Sequence, residues 1–348
     1  MTDSQTQGYD VPAVEAWIKT NIPSLTPPFD WQKLDGGHSN LTYLLTAGDG
    51  TLAVIRRPPL GELLPKAHDM GREWQIISAL GPTDVPVAAA LGFCEGAEVT
   101  GAHFYVMGHI DGMALYTNVE TEQWIPLEKR HHVGESFMDV LAALHSLDPD
   151  DIGLGSLGKK EGYIARQLKT WYRSWMASKD VAEYDDARLH EMQDYLANNI
   201  PEQGPARVVH GDYGLHNCMF TSEGHVAAVL DWEISTLGDP LADLAYALNQ
   251  WVLPGDENPV KENAASVVDG MLNRQQLAER YAQATGCDLS NLDYYVCFNW
   301  IKSAMIIHGV YARYKAGQKS TEGVDMVDLR DRVTRNINEA ERAVSRIS

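Results

Sequence analysis

The spacing of apolar residues changes near residue 113, and this change restricts the folds that the chain can adopt. Before it, LTYLLTA (41–47) and TLAVIRR (51–57) flank an Asp-Gly turn, a pattern typical of a β-hairpin. HFYVMGHI (103–110) predicts another strand. Beyond residue 113, apolar residues recur every three or four positions, as in FMDVLAALHSL (137–147), which is typical of long helices.

Other segments fit the same division of the chain. Helical spacing also predicts helices at 11–20, 70–80, 274–285 and 290–316. Two short β-like runs, ARVVH (206–210) and HVAAVLDW (225–232), interrupt the helical part. We therefore predict an α+β fold with a small β-rich lobe at 1–107, a hinge at 108–113 and a larger, mainly helical lobe at 114–348.

The charge balance excludes one class of partner. The chain has 28 Lys and Arg against 48 Asp and Glu, a net charge of −20, which argues against binding to nucleic acid. No apolar run approaches the roughly 18–20 residues that cross a bilayer, and the polar N-terminus lacks a secretory signal. We expect a cytoplasmic protein with no membrane partner. The four cysteines are scattered, as is typical of free thiols.

The stretch VVHGDYGLHN (208–217) concentrates polar side chains after a β-like run and allows three interpretations. It could be a buried strand that ends in a polar turn. It could be a zinc site, because His210, Asp212 and His216 have side chains of the right type. It could also be a catalytic loop. Zinc is disfavoured because no other His or Cys cluster has ligand spacing and because it leaves Asn217 without a role.

Asp212, Asn217 and Asp231 match the order and spacing of a phosphotransfer site. Asp212 and Asn217 are five residues apart, as in the catalytic loop of kinases, and Asp231 ends the following β-like run. Such a site needs one carboxylate to orient the attacking hydroxyl and accept its proton. It also needs an amide and a second carboxylate to hold Mg²⁺ on the nucleotide phosphates. We predict Asp212 as the catalytic base and Asn217 and Asp231 as metal ligands.

The β-rich part contains residues that a nucleotide requires. Paired glycines before a strand let backbone N–H groups approach phosphates, although such glycines are also common in simple turns. The following strand places Arg56 where kinases have a phosphate-pairing lysine, and Glu73 in the next helix is its predicted partner; the alternative is a surface ion pair. The strand at 103–110 leads to a hinge whose backbone could meet an adenine edge. The predicted nucleotide-binding residues are Gly36, Gly37, Ser39, Asn40, Arg56, Glu73, Met107 and His109.

The segment after Asp231 begins a helix. Asp239 followed by Pro240 is a strong helix start, with Asp as the N-cap and Pro in the first turn. Asp239 and Asp243 therefore have a structural explanation, and we leave them out of the catalytic set. Glu233 either assists the metal or braces the loop.

Residues 31–316 resemble the aminoglycoside/choline phosphotransferase family of small-molecule kinases, which has a protein-kinase-like fold. The resemblance rests on HGDYGLHN (210–217), LDWE (230–233) and GDPLADLAY (238–246). The Ser-Asn pair after the glycines, the AVIRRPP segment, LAERYAQATGCDLSNLDYY and GVYARYKAGQ resemble the branch that is fused to, or encoded with, acyl-CoA dehydrogenases.

This resemblance implies a bilobal enzyme that uses Mg²⁺ and ATP, or GTP, as co-substrate. It implies Asp212 as base, Asn217 and Asp231 as Mg²⁺ ligands, and Arg56 with Glu73 at the phosphates. Two departures are the Arg in place of the usual kinase Lys and the absence of a GxGxxG loop. The branch implies a hydroxylated acyl-CoA or related acid as acceptor and a functional link to an acyl-CoA dehydrogenase. A cationic aminoglycoside is the alternative acceptor, and a silent nucleotide-binding pseudokinase is the alternative class. The oligomeric state stays open.

Overall fold

The structure is a computed structural model that divides into two compact units. It describes residues 6–34, 40–60, 69–257 and 261–347. The first unit comprises Met1–Gly112 with Val226–Ile234, and the second comprises Met113–His225 with Ser235–Ser348. The short segment Val226–Ile234 contains Asp231, so this residue belongs to the N-terminal unit although it follows Asp212 in the chain.

The first unit is built on an antiparallel sheet of five described strands, in the order β1-β2-β3-β5-β4. Within the described residues its elements are α1 (Val11–Asn21), β1 (Asp30–Lys33), β2 (Leu41–Thr46), β3 (Leu52–Arg57), α2 (Met70–Leu80), β4 (Ala90–Cys94), α3 (Ala97–Thr100), β5 (Phe104–Gly108) and β9 (Val226–Val229). The Asp-Gly turn joins β2 to β3, and Gly50 has a φ of +87°, which favours glycine. The predicted hairpin is present.

An aspartate caps the start of helix α1 and of helix α2. Asp10 and Asp69 each accept a hydrogen bond from a backbone N–H in the first turn. Helix α1 places Val14 and Ile18 in a core with the sheet. The buried face of α2 contains a carboxylate, Glu73, among its apolar side chains. A buried carboxylate requires a partner, which points to the strand side of this helix.

The second unit is mainly helical. Its described elements are β6 (Met113–Ala114), α4 (Asn118–Trp124), α5 (Arg130–Ser146), α6 (Tyr163–Ala182), α7 (Ala187–Asn198), β7 (Arg207–Val209), β8 (Cys218–Phe220), β10 (Thr236–Gly238), α8 (Pro240–Gln250), α9 (Arg274–Thr285), α10 (Leu292–Lys315) and α11 (Met326–Val344). Short 3-10 turns cover Leu127–Lys129 and Leu215–Asn217. Helix α10 packs against α6, α8 and α11, and these helices share one apolar core.

The predicted α+β, protein-kinase-like class is confirmed. Helices α2 and α9 begin and end at the residues that apolar spacing predicts, and Asp239 caps α8 by accepting a hydrogen bond from Leu241 N at 3.1 Å. Helices α7 and α11 were not predicted; half or more of the residues along each of them are polar. Along the described part of the chain, no helix is both long and apolar enough to span a membrane.

Candidate active site

The loop that follows β7 is held in place by a carboxylate from α8. Strand β7 pairs with β10 in antiparallel register and leads directly into His210, which is fully buried. The backbone N–H groups of His210 and Gly211 both donate to the carboxylate of Asp243, the second of them to Oδ1 at 2.8 Å. Gly211 has a φ of +86°, a backbone conformation that side chains disfavour. Asp243 therefore fixes the backbone immediately before Asp212.

Asp243 is ionised in this buried position. Burial raises the pKa of a carboxyl group, but the neighbouring His145 and the hydrogen bond from the Gly211 N–H outweigh it, so the pKa of Asp243 lies below its usual value. His145 Nε2 lies 3.5 Å from Asp243 Oδ2. A buried carboxylate with two backbone donors and a histidine beside it is a rigid anchor.

The Asp212 carboxylate has three neighbours that favour its ionised form. Asn217 Nδ2 donates to the backbone oxygen of Asp212 at 2.9 Å and to Oδ2 at 3.1 Å. The Tyr246 hydroxyl donates to Oδ1, and His216 Nε2 lies 3.6 Å from Oδ2. Burial raises the pKa of Asp212, but the nearby His216 and the hydrogen bond from Tyr246 outweigh it, so this pKa is lowered. Asp212 is thus a carboxylate near neutral pH, able to accept a proton.

The two histidines of this loop do not form a metal cluster. Within residues 6–34, 40–60, 69–257 and 261–347, one group of His, Cys, Asp or Glu brings three ligand atoms within 4.8 Å of one another, and it consists of His131, His132 and Glu135. His210 instead accepts a hydrogen bond from Asp212 N at 3.3 Å through Nδ1. His216 lies beside the Asp212 carboxylate, with Nε2 3.6 Å from Oδ2.

In the first unit, Arg56 on β3 and Glu73 on α2 form the predicted ion pair. Arg56 Nη1 lies 2.6 Å from Glu73 Oε1, and Nη2 lies 3.9 Å from Asp231 Oδ1. Burial lowers the pKa of Arg56, but the negative charges of Glu73 and Asp231 outweigh it, so this pKa is raised. The pair is not a surface contact, because the exposed fractions of the two side chains are 14% and 2%.

Asp231 combines a strained backbone with an unsatisfied oxygen. Its φ of 61° is in the left-handed region, which residues other than glycine rarely adopt and which is often found at functional sites. The buried Oδ1 atom has no hydrogen-bond partner among the described residues, and the Arg56 guanidinium lies 3.9 Å from it. A buried carboxylate oxygen without a hydrogen bond fits a ligand for a hard cation such as Mg²⁺.

Some of the remaining nucleotide-binding candidates lie among the described residues and some do not. Gly36, Gly37 and Ser39 lie outside the described residues. Asn40 is buried just before β2. Met107 lies opposite Val54 and Ala90 in the sheet, and the His109 N–H faces the Leu52 oxygen at 3.4 Å.

Three residues near Asp212 were missed by sequence reasoning. Tyr246 and Asp243 lie three residues apart on α8, so they share a face, and that spacing within GDPLADLAY was the available signal. Lys302 on α10 is the third; burial lowers its pKa, whereas the charges of Asp243 and Asp212 raise it. No local pattern relates Lys302 to the loop, because it is 90 residues from Asp212 in the chain.

The chain is similar to longer proteins that are named as acyl-CoA dehydrogenases. The chain is 35% identical to acyl-CoA dehydrogenase family member 11 of Gallus gallus over 298 residues. It is 32% identical to the probable acyl-CoA dehydrogenase IBR3 of Arabidopsis thaliana over 317 residues. The matches cover 84% and 86% of this chain but 38% of each relative, so the chain spans well under half the length of these relatives.

Solved structures of similar fold are phosphotransferases. A candidate aminoglycoside phosphotransferase from Ralstonia eutropha is 29% identical, with a TM-score of 0.79 over 96% of this chain and 99% of that one. An ADP-bound aminoglycoside phosphotransferase APH(2'')-Ib and a GDP complex of aminoglycoside 2'-phosphotransferase-IIIa, at 13% and 12% identity, share the fold alone. The sequence model of the phosphotransferase enzyme family matches residues 30–278. The chain therefore belongs to the phosphotransferase enzyme family.

Proposed function

We propose that this small-molecule phosphotransferase transfers the γ-phosphate of ATP or GTP to a hydroxyl group, with Asp212 as the general base. The observation that carries the proposal is the environment of Asp212. Its carboxylate is held by hydrogen bonds from Asn217 and Tyr246, and its pKa is lowered, so it is ready to orient and deprotonate an acceptor hydroxyl. The proton leaves the hydroxyl for Asp212 as the new oxygen–phosphorus bond forms and the bond to the nucleoside diphosphate breaks.

Arg56 is proposed to bind the nucleotide phosphates. Its guanidinium is oriented by Glu73, whose Oε1 lies 2.6 Å from Nη1. Arginine binds phosphate through two parallel hydrogen bonds, so it can replace the lysine that kinases usually have. The ADP and GDP complexes of proteins that share the fold support either nucleotide.

Asn217 and Asp231 are proposed as ligands of Mg²⁺. The amide nitrogen of Asn217 donates to Asp212, which leaves its carbonyl oxygen for a cation, and Asp231 has a buried oxygen without a hydrogen bond. Bound Mg²⁺ would neutralise charge on the nucleotide phosphates.

The acceptor is proposed to be a hydroxyacyl-CoA or a related hydroxy acid. Support comes from the similarity to proteins named as acyl-CoA dehydrogenases, whose remaining length is not matched by this chain. A functional link to an acyl-CoA dehydrogenase is proposed on the same basis. A cationic aminoglycoside is the second candidate, which the net charge of −20 favours.

The test is a transfer screen with γ-labelled ATP and GTP across hydroxyacyl-CoAs, free hydroxy acids, amino alcohols, sugars and aminoglycosides. Asp212→Asn should lower turnover of the best acceptor by roughly 10²–10⁴ while Mg-nucleotide binding persists. Asp139→Asn, an exposed carboxylate paired with Arg280, is the matched control and should retain turnover. Full turnover by Asp212→Asn would remove Asp212 from the mechanism. Nucleotide binding with no transfer to any acceptor would favour a pseudokinase instead.

A further inference from the structure

A cavity of about 690 Å³ lies within the second unit, beside the loop that contains Asp212. Gly214, Leu215 and His216 line it on the loop side, and His216 Nε2 is also 3.6 Å from Asp212 Oδ2. A molecule in this cavity therefore lies next to a neighbour of the proposed base. On the proposed function, this is where the acceptor binds.

The cavity has an apolar floor. Phe137 and Trp251 line it with ring centroids 5.8 Å apart, and each side chain is about 1% exposed. Val252 and Ala247 continue the same surface. Such a floor favours an acceptor with a hydrocarbon part.

Two arginines on α11, Arg332 and Arg335, also line the cavity, and they differ in their contacts. Arg335 donates to Asp328 Oδ1 at 2.7 Å. Arg332 is half-buried and has neither a hydrogen bond nor an ion pair with any residue of the described ranges. A partly desolvated guanidinium with no partner is unfavourable until an anion binds it. Arg332 thus provides an unused set of donors on the cavity wall.

The other charged groups of the cavity do not neutralise Arg332. Glu257 pairs with Arg342, and the exposed Lys261 donates to the backbone oxygen of Tyr116 at 3.2 Å. Glu262 is exposed to solvent at the rim. Solvent screens these exposed charges strongly, whereas it screens the charge of the half-buried Arg332 guanidinium less.

Arg332 also acts on Tyr246, the residue that donates a hydrogen bond to the proposed base. Its positive charge lowers the pKa of Tyr246 against the opposing effect of burial, and Tyr246 donates its hydrogen bond to Asp212. A second cation, Lys302 on α10, acts on Asp212 from within the same unit and has no ion pair among the described residues. Two cations without a carboxylate partner therefore lie near the proposed base.

We propose that Arg332 is a specificity-determining residue that binds an anionic group, a carboxylate or a phosphate, of the acceptor. This rests on the proposed transfer to a hydroxyl at Asp212. The acceptor class is then an amphipathic hydroxy compound with an apolar part and an anion. A polycationic acceptor is disfavoured, because Arg332 repels it.

The test compares three forms of one acceptor: a medium-chain hydroxy acid, its neutral methyl ester and its CoA thioester. The acid has a carboxylate alone and the thioester has phosphates alone, so the two sources of anion are separated. Wild type should prefer one anionic form to the ester. Arg332→Gln should raise KM for that form about 10–100-fold, which is the scale expected for the loss of a charge-assisted hydrogen bond. The variant should keep kcat within a few fold of wild type and should lose the preference for the anionic form. Arg332→Lys should restore part of the preference. Arg330→Gln, on the same helix over the Tyr184 ring and outside the cavity, should retain it.

Binding measurements keep this inference separate from the proposed function. Calorimetry without nucleotide should show the anionic form binding to wild type and Arg330→Gln and not to Arg332→Gln. That result supports anion binding at Arg332 even if no phosphate transfer is observed. In that case the proposed function is wrong, but the inference about Arg332 stands. The preferred anionic form without its hydroxyl, either the fatty acid or its CoA thioester, should compete with the methyl ester for wild type, and this measurement needs no variant. Equal use of ester and anion, unchanged KM in Arg332→Gln, or no competition would overturn the inference.

Discussion

The Tyr246 hydroxyl donates a hydrogen bond to Asp212 Oδ1, and Asn217 donates to the other oxygen of the same carboxylate. Tyr246 lies on α8, one helical turn beyond the Asp243 carboxylate that anchors the loop backbone. Helix α8 therefore fixes the loop backbone before Asp212 through Asp243, and it stabilises the ionised Asp212 carboxylate through Tyr246.

Replacing Tyr246 with Phe should move the acidic limb of the pH–rate profile to higher pH. The hydrogen bond stabilises ionised Asp212 and contributes to its lowered pKa, so its loss raises that pKa and the base becomes protonated at a higher pH. The measurement is kcat/KM against pH for wild type and Tyr246→Phe. Tyr195→Phe, an exposed tyrosine on α7, is the control and should leave the profile in place. A purely structural role for Tyr246 would lower activity equally at all pH values.

Asp243→Ala should destabilise the second unit. It leaves the His210 and Gly211 N–H groups without their acceptor, and each unsatisfied buried donor costs about 1–3 kcal/mol. The pKa of Asp243 is lowered in the folded state, so its contribution is complete above the unfolded pKa and is lost as pH falls through the folded pKa. Urea titrations should therefore give a difference between wild type and variant that is largest near neutral pH and shrinks in acid. A constant difference would contradict this linkage.

Arg56→Met should lower both stability and nucleotide affinity, and a second substitution should separate the two. The single variant leaves the buried Glu73 carboxylate uncompensated, which typically costs about 3–5 kcal/mol. Arg56→Met combined with Glu73→Leu removes both charges and should recover much of the unfolding free energy. Nucleotide affinity, measured by calorimetry, should stay low in the double variant because the phosphate donor is absent. Recovery of affinity would assign the pair a structural role only.

Asp231→Asn should weaken nucleotide binding only when Mg²⁺ is present. Asn tolerates the φ of 61° that Asp231 adopts, so the change removes charge with little backbone cost. Nucleotide titrations with Mg²⁺ and with EDTA measure the two affinities. In wild type, Mg²⁺ should tighten binding, and the variant should lose most of that difference. An unchanged Mg²⁺ dependence would exclude Asp231 as a ligand.

Local sequence determined the parts of the protein that depend on neighbours in the chain. The Asp-Gly hairpin, the Asp239-Pro240 helix start and the five-residue spacing of Asp212 and Asn217 are short-range features, and hydrogen bonds within a few residues produce them. The Arg56–Glu73 pair was also predicted, because the two residues occupy the places of the strand lysine and the helix glutamate that pair in kinases.

Tertiary structure alone decided what surrounds these groups. Tyr246 reaches Asp212 across 34 residues, and Asp243 reaches Gly211 across 32. The sequence determined that Asp212 and Asn217 share a loop, but the packing of α8, α10 and α11 decided which tyrosine and which cations lie near it. That packing depends on long-range burial of apolar faces, which fixes the rotation of each helix and is not encoded in any short motif.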